Sequence, residues 1–334
     1  MAIIAAGKVR AAASKGIIKQ IIEDLIAKKM ELTFADVITL TAAVRAGDEL
    51  DLSADLFVKV MEQLWHPATT VAMIFSAEAL ARRSNVLTAE QRREVMEVLT
   101  KAAYRSDTPV ASAAAAVAIF KIAPTEALEP LRAVCESKNC LAGDYVAWNL
   151  AQSASPEAWG VARKFLAPDE YDSSVKSVGA MLIASLARKS NLASQVAEGI
   201  KNRLERSPYI EQSAPYLAGT YRCALLMLSQ QRYRDMVIAL SQSSAFPKFR
   251  AIWALITVGE PMGFDYVLGR ANFNPDEMDT YLGRSLLYRI YSKAIPQLPE
   301  YDIEAPKVVR YWQCRLCRDY YLIHRAEIIS RIGK

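Results

Sequence analysis

Histidine and glycine-rich motifs are scarce in this sequence, and their scarcity removes several classes of enzyme. The 334 residues include two histidines, His66 and His324. A serine–histidine–aspartate arrangement would have to use one of them, and neither lies near a nucleophile-type turn. The sequence also contains neither a GxGxxG motif nor a Walker phosphate loop. We therefore predict a protein that is not an enzyme, with no catalytic residue, no bound cofactor and no metal.

Long apolar runs are also missing. Charge-free stretches such as Thr108–Phe120 reach only about a dozen residues, whereas a membrane-spanning helix needs ~18–20. At the N-terminus the positive charges follow the apolar run, which is the reverse of the order in a secretory signal. Five cysteines, an odd number, do not suggest a disulfide framework. The sequence therefore predicts a cytoplasmic protein without a transmembrane segment.

The composition is that of a folded protein with a large core. Hydrophobic residues make up 52% of the chain and charged residues 23%. The formal net charge of +5 is too small to favour nucleic acid as a partner unless the cations gather on one face. We therefore expect protein partners rather than nucleic acid.

The hydrophobic pattern is helical almost throughout, and no stretch shows sustained two-residue alternation. Between Lys15 and Lys29, isoleucine and leucine form one stripe and charged residues lie away from it. Residues that favour helix starts recur between the apolar stretches, and Thr88 with Gln91 has the spacing of a capping box. The predicted helix starts are Thr33, Ser53, Pro67, Thr88, Thr108–Pro109 and Pro124. These features predict about eighteen helices joined by short connections, as in stacked helical hairpins.

Internal similarity supports a stack. The segment Leu80–Val86 recurs as Leu186–Leu192, 106 residues later, and Pro124–Leu128 is echoed by Ser155–Trp159. Periods of about 30 to 40 residues with two helices each are typical of helical repeat proteins.

One segment carries a family resemblance. Ala113–Leu131 reads AAAAVAIFKIAPTEALEPL, which resembles a HEAT repeat of the phycobilisome-lyase subtype. Tyr145–Phe165 and Phe249–Leu268 resemble it more loosely. The resemblance implies an all-α, right-handed α-solenoid of HEAT-like hairpins over residues 67–270. Residues 1–66 and 271–334 would then be its atypical N- and C-terminal helical caps.

HEAT proteins have several functions, so the family leaves the function open. Its di-iron hydroxylase branch is excluded because this sequence has no His-Glu pair to supply the ligands. We favour a non-enzymatic protein-binding adaptor or scaffold subunit of a larger complex. The alternatives are a bilin-lyase-like protein with a tetrapyrrole groove and a nucleic-acid-binding repair-like protein with a basic inner face.

Two groups of residues resemble metal or acid–base sites. Cys314 and Cys317 have a zinc-like spacing, but a second pair is missing and His324 could supply only a third ligand. Because the segment reads as uninterrupted helix, the pair is interpreted as two small apolar residues. Acidic residues cluster at positions 169–172, 276–279 and 300–304, which we interpret as solvated loops or a helix start.

The strongest surface signal is the last predicted helix, from Pro306 to Ile332. At 100° per residue one face carries Val308, Val309, Trp312, Leu316, Tyr320 and Ile323. We expect this apolar face to pack inward. The opposite face carries the predicted partner-binding residues Lys307, Arg310, Arg318, Tyr321 and Arg325. This second face is read as a solvated surface, a protein-binding surface, or a surface for nucleic acid or anionic lipid.

Overall fold

The computed structural model describes residues 14–28, 31–153, 155–167, 172–206, 210–243, 246, 248–266 and 307–332. In the last of these segments the side chains described are those of Trp312, residues 315–328 and Ser330. All regular structure in these ranges is helical, which confirms the predicted all-α class. No helix in the described part of the chain combines the length and the apolar character needed to cross a bilayer.

The contacts within the chain group into two units, residues 1–146 and 147–334. The first contains α1 Ser14–Ala27, α2 Phe34–Glu49, α3 Ala54–Gln63, α4 Thr70–Arg82, α5 Ala89–Ala103, α6 Pro109–Ile122, α7 Leu128–Glu136 and the start of α8 Cys140–Ser153. The second contains the rest of α8 with α9 Pro156–Phe165, α10 Ser173–Ala187, α11 Ala193–Arg206, α12 Ile210–Ser213, α13 Pro215–Met227, α14 Arg234–Gln242, α15 Lys248–Thr257, α16 Pro261–Phe264 and α17 Lys307–Ile332. The boundaries predicted at residues 66 and 270 stay predictions.

Helices begin at the hydroxyl and proline residues that the sequence pattern predicts. Thr33 and Thr88 each begin a helix with a complete capping box, and Ser53 stands before α3. Pro67 and Pro124 each open a short 3₁₀ turn. Hydroxyl and proline residues suit these positions because the first turn of a helix has N–H groups without intrahelical acceptors.

The first unit has two layers of helices. Consecutive helices pack as pairs, α1 on α2, α3 on α4 and α5 on α6. Alternate helices also pack, so that α2, α4 and α6 form one layer and α1, α3, α5 and α7 form the other. The alanine-rich α6 is buried along nearly its whole length, because alanine lets neighbouring helices approach closely.

The second unit has one layer of the same kind. One layer contains α10, α13 and α15, with α10 packed on α13 and α13 on α15. Helices α9, α11, α14 and α16 each pack on a member of that layer. Glycine at 219 is required by the close packing, because an added Cβ would lie 2.5 Å from the ring of Phe246.

Candidate functional site

The carboxylate of Asp265 links helix α17 to the end of α16. Asp265 follows α16 and accepts a hydrogen bond from the Tyr321 hydroxyl at 3.0 Å. It also accepts two from the Arg325 guanidinium, at 2.9 Å from Nε and 2.8 Å from Nη2. A bidentate arginine–carboxylate pair fixes orientation as well as distance. One face of α17 is therefore set against the end of α16.

The pKa values of these three groups follow from their contacts. The hydrogen bond from Arg325 holds the pKa of Asp265 below its ordinary value, against the opposing effect of burial. Burial, and then the negative charge of Asp265, raises the pKa of the Tyr321 hydroxyl, while the hydrogen bond to Asp265 raises the pKa of Arg325. Tyr321 therefore remains a neutral donor, which suits an anchor rather than a nucleophile or a general base.

Burial along α17 reverses the predicted orientation. Among the described side chains of α17, the buried ones are Cys317, Tyr321 and Ile328, and Tyr321 has no exposed surface. The side chains of Trp312, Leu316 and Ile323, which were expected to pack inward, are 54%, 57% and 77% exposed. The prediction of an inward apolar face and an outward tyrosine is wrong. The physical reason is that Tyr321 and Arg325 find their partner, Asp265, within the chain.

We call Trp312, Leu316 and Ile323 the outward stripe. Sequence reasoning identified these residues but assigned them to the core, because the two faces of α17 have the same periodicity. Residues 312, 316 and 323 are spaced i, i+4 and i+11, and so are the buried residues 317, 321 and 328. Hydrophobic spacing alone could not choose between them.

The five predicted partner-binding residues have different environments. Tyr321 is buried, and Arg325, with a side chain 42% exposed, is paired with Asp265. Arg318 is half-buried. The side chains of Lys307 and Arg310 lie outside the described residues. A contact between these residues and a partner stays a prediction, while the surface that α17 presents is the outward stripe.

Polar groups border the outward stripe on both sides. The Arg315 guanidinium lies 5.6 Å from the centre of the Trp312 ring and 3.9 Å from the carboxylate of Asp319. On the other side, the Tyr320 and His324 rings are 4.4 Å apart. Because these charges are of both signs and largely exposed, their pairing contributes little stability and leaves them available to a partner.

The other sequence motifs have structural roles where the structure describes them. The Nδ1 atom of His66 accepts a hydrogen bond from the Ala68 amide at 3.1 Å, as a helix cap does. Asp172 accepts two backbone hydrogen bonds at the start of α10. The acidic clusters at 276–279 and 300–304 lie outside the described residues. Among the described side chains, no group of three or more metal-ligand residues comes together.

Polar residues in the first unit form a cross-link between its helices. The Arg83 guanidinium is almost fully buried and contacts Asp48, while the exposed Arg82 contacts the same carboxylate. The Tyr145 hydroxyl of α8 donates a hydrogen bond to Glu78 of α4 at 2.9 Å. Basic side chains at the end of α4 are therefore paired with an acidic side chain of α2.

Comparison with known proteins adds no relative. No family model, no curated protein and no solved structure matches the chain.

Proposed function

We propose that this chain is a non-enzymatic protein-binding adaptor or scaffold subunit, in which each unit is a segment of HEAT-like α-solenoid and α17 is the docking element. The observation that carries the proposal is the outward stripe on a helix whose opposite face is anchored. The alternation of packed helices in each unit supports the solenoid, because stacked hairpins bring alternate helices into contact.

The residue types of the stripe support a protein partner. Tryptophan and arginine dominate the binding energy of protein interfaces, and Arg315 lies against Trp312. An amphipathic helix binds another protein through apolar residues at i, i+4 and later turns. Asp319 lies between Leu316 and Ile323 along the helix and is half-exposed, which disfavours insertion of this face into an anionic membrane.

The two alternative functions have weaker support in the described residues. A nucleic-acid-binding face needs a continuous run of cations, whereas Arg82 and Arg83 are neutralised by Asp48 and Glu78. A tetrapyrrole needs an apolar groove, and the described contacts do not point to one.

Affinity capture from the source cells tests the proposed function. The bait is the full chain, compared with a Leu316→Ser/Ile323→Ser variant and with a Val86→Ser control. Val86 is 79% exposed and lies in the turn that follows α4, in the first unit. We expect the stripe variant to lose at least about tenfold of a specific prey, as truncation of interface hot spots does, while Val86→Ser retains it. Equal recovery by all three baits would contradict the proposal.

A further inference from the structure

We propose that the outward stripe binds a second copy of the chain, with the two α17 helices packed antiparallel about a two-fold axis near residue 321. This inference rests on the proposed function and names the partner of its docking helix. Two-fold homodimers place the same surface of each chain against itself, so the surface has to be self-complementary.

The stripe has the register of a two-stranded coiled coil. Positions 312, 316, 319, 323, 326 and 330 follow alternating steps of four and three residues, as core positions of a coiled coil do. The residues at all six are exposed. The face therefore extends for about five turns of α17, well beyond the three large apolar residues.

The sizes of the side chains are complementary in the antiparallel arrangement. We place the two-fold axis at the level of residue 321 along the helix. Trp312 is then opposite Ser330 of the second copy, and Leu316 is opposite Ala326. A large residue then faces a small one in both of these layers, which fills space without collision. In the central layer Ile323 is opposite Asp319, whose carboxylate can turn toward Arg315 of its own helix.

The charges distinguish the antiparallel pair from a parallel one. A parallel pair would place Asp319 opposite Asp319 in the middle of the interface, and like charges there cost several kcal/mol. The antiparallel pair separates the two carboxylates. It also places the exposed Leu322 residues of the two copies on the same side of the helix pair, close to the two-fold axis.

The described part of the chain leaves Leu316 and Ile323 of this face largely exposed. The described buried residues Cys317, Tyr321 and Ile328 lie on average about 140° around the helix from the stripe. A second α17 therefore approaches from the side opposite the anchor to Asp265. Because that anchor fixes the helix before association, little conformational entropy is lost on pairing.

Sedimentation equilibrium of the full chain tests the dimer. We expect a concentration-dependent mass between one and two chains for the wild type. Ile323→Ser should raise the dissociation constant at least about tenfold, and Val86→Ser should leave it unchanged. Both sites are about equally exposed, so neither change should affect folding, which a thermal melt checks. A wild-type chain that stays monomeric at 100 µM, on the order of the weakest specific pairs, would overturn the inference.

Cysteine pairing tests the orientation independently. A Leu316→Cys chain mixed with a tagged Ala326→Cys chain should form a disulfide between the two under mild oxidation, because these positions face each other only in the antiparallel pair. Disulfides within either variant alone would indicate a parallel pair and overturn the inference. So would a mixture that gives no more disulfide than the wild type. If the chain is monomeric but the stripe still captures another protein, the inference fails and the proposed function stands.

Discussion

At the scale of single residues, two adjacent arginines show how burial decides the value of an ion pair. Arg82 and Arg83 both contact Asp48, with side chains 53% and 8% exposed. Arg83 also donates hydrogen bonds to the carbonyl oxygens of Leu52 and Ala79, at 3.0 and 3.1 Å. Its guanidinium therefore connects the turn after α2 to the end of α4, whereas Arg82 lies at the surface.

We expect Arg83→Ala to lower the free energy of unfolding by about 3 kcal/mol, because it leaves buried acceptors unpaired. Arg82→Ala, the matched control, should cost less than about 1 kcal/mol. Urea unfolding of the two variants measures the difference. Equal losses would show that burial does not separate the two arginines.

A second residue-scale prediction concerns the core of α6. Val117, which has an alanine on each side in the sequence of α6, is 3% exposed. Val117→Asp should lower the free energy of unfolding by about 3 kcal/mol or more, because the new carboxylate would be buried among apolar side chains while Lys121, one turn on, is exposed. Val86→Asp, at a position 79% exposed, is the control and should change the melting temperature little. A Val117→Asp protein that melts with the wild type would contradict the burial of this helix.

The anchor of α17 should depend on pH. The folded-state pKa of Asp265 lies below its ordinary value of 3.8, so its contribution to stability is present above that value and is lost as the pH falls through the folded pKa. The pKa shift of Tyr321 affects stability in the opposite direction. Because its folded-state pKa is raised, its contribution to stability is lost only as the pH rises above about 10 and through the folded pKa. Hydrogen exchange of α17 amides from pH 3 to 7 should show faster opening only at the acid end. In Asp265→Asn we expect fast opening at every pH in that range, and an acid response equal to that of the wild type would count against the anchor.

At the scale of elements, the sequence predicted helix positions better than helix orientation. Capping residues are local signals, so Thr33, Thr88 and Pro109 marked helix starts correctly. The burial of α6 was also predictable, because a run without charged residues has no polar face to expose. The orientation of α17 was not, since two stripes of identical spacing compete and the partner of Tyr321 and Arg325 is 56 or more residues away in the chain.

The two faces of α17 should respond differently to substitution. Leu316→Ser with Ile323→Ser removes exposed side chains and should leave the melting temperature of the isolated chain nearly unaltered. Arg325→Ala removes two hydrogen bonds to Asp265 and should speed hydrogen exchange along α17. A stripe variant that loosens α17 as much as Arg325→Ala does would show that the outward residues belong to the core.

At the scale of the whole molecule, the repeated spacing predicted helical hairpins, and each unit contains them. The recurrence of Leu80–Val86 at Leu186–Leu192 falls at the ends of α4 and α10, which occupy corresponding layers of the two units. The copies differ in their contacts: Arg82 contacts Asp48, whereas Arg188, at the corresponding position, donates to the carbonyl oxygen of Thr257 at 3.4 Å. Such differences depend on acids supplied by other helices, which a local repeat does not encode.

The central claim is that the outward stripe of α17 is a protein-docking surface. The most direct measurement is photo-cross-linking in the source cells, with a photoreactive phenylalanine analogue at position 316 or, as control, at position 86. Both positions are exposed, and only the first lies on the stripe. We predict a discrete protein adduct from position 316, composed of two copies of the chain, and none from position 86. A discrete adduct with another protein would keep the docking surface and exclude the dimer, whereas no adduct, or the same adducts from both positions, would contradict the account.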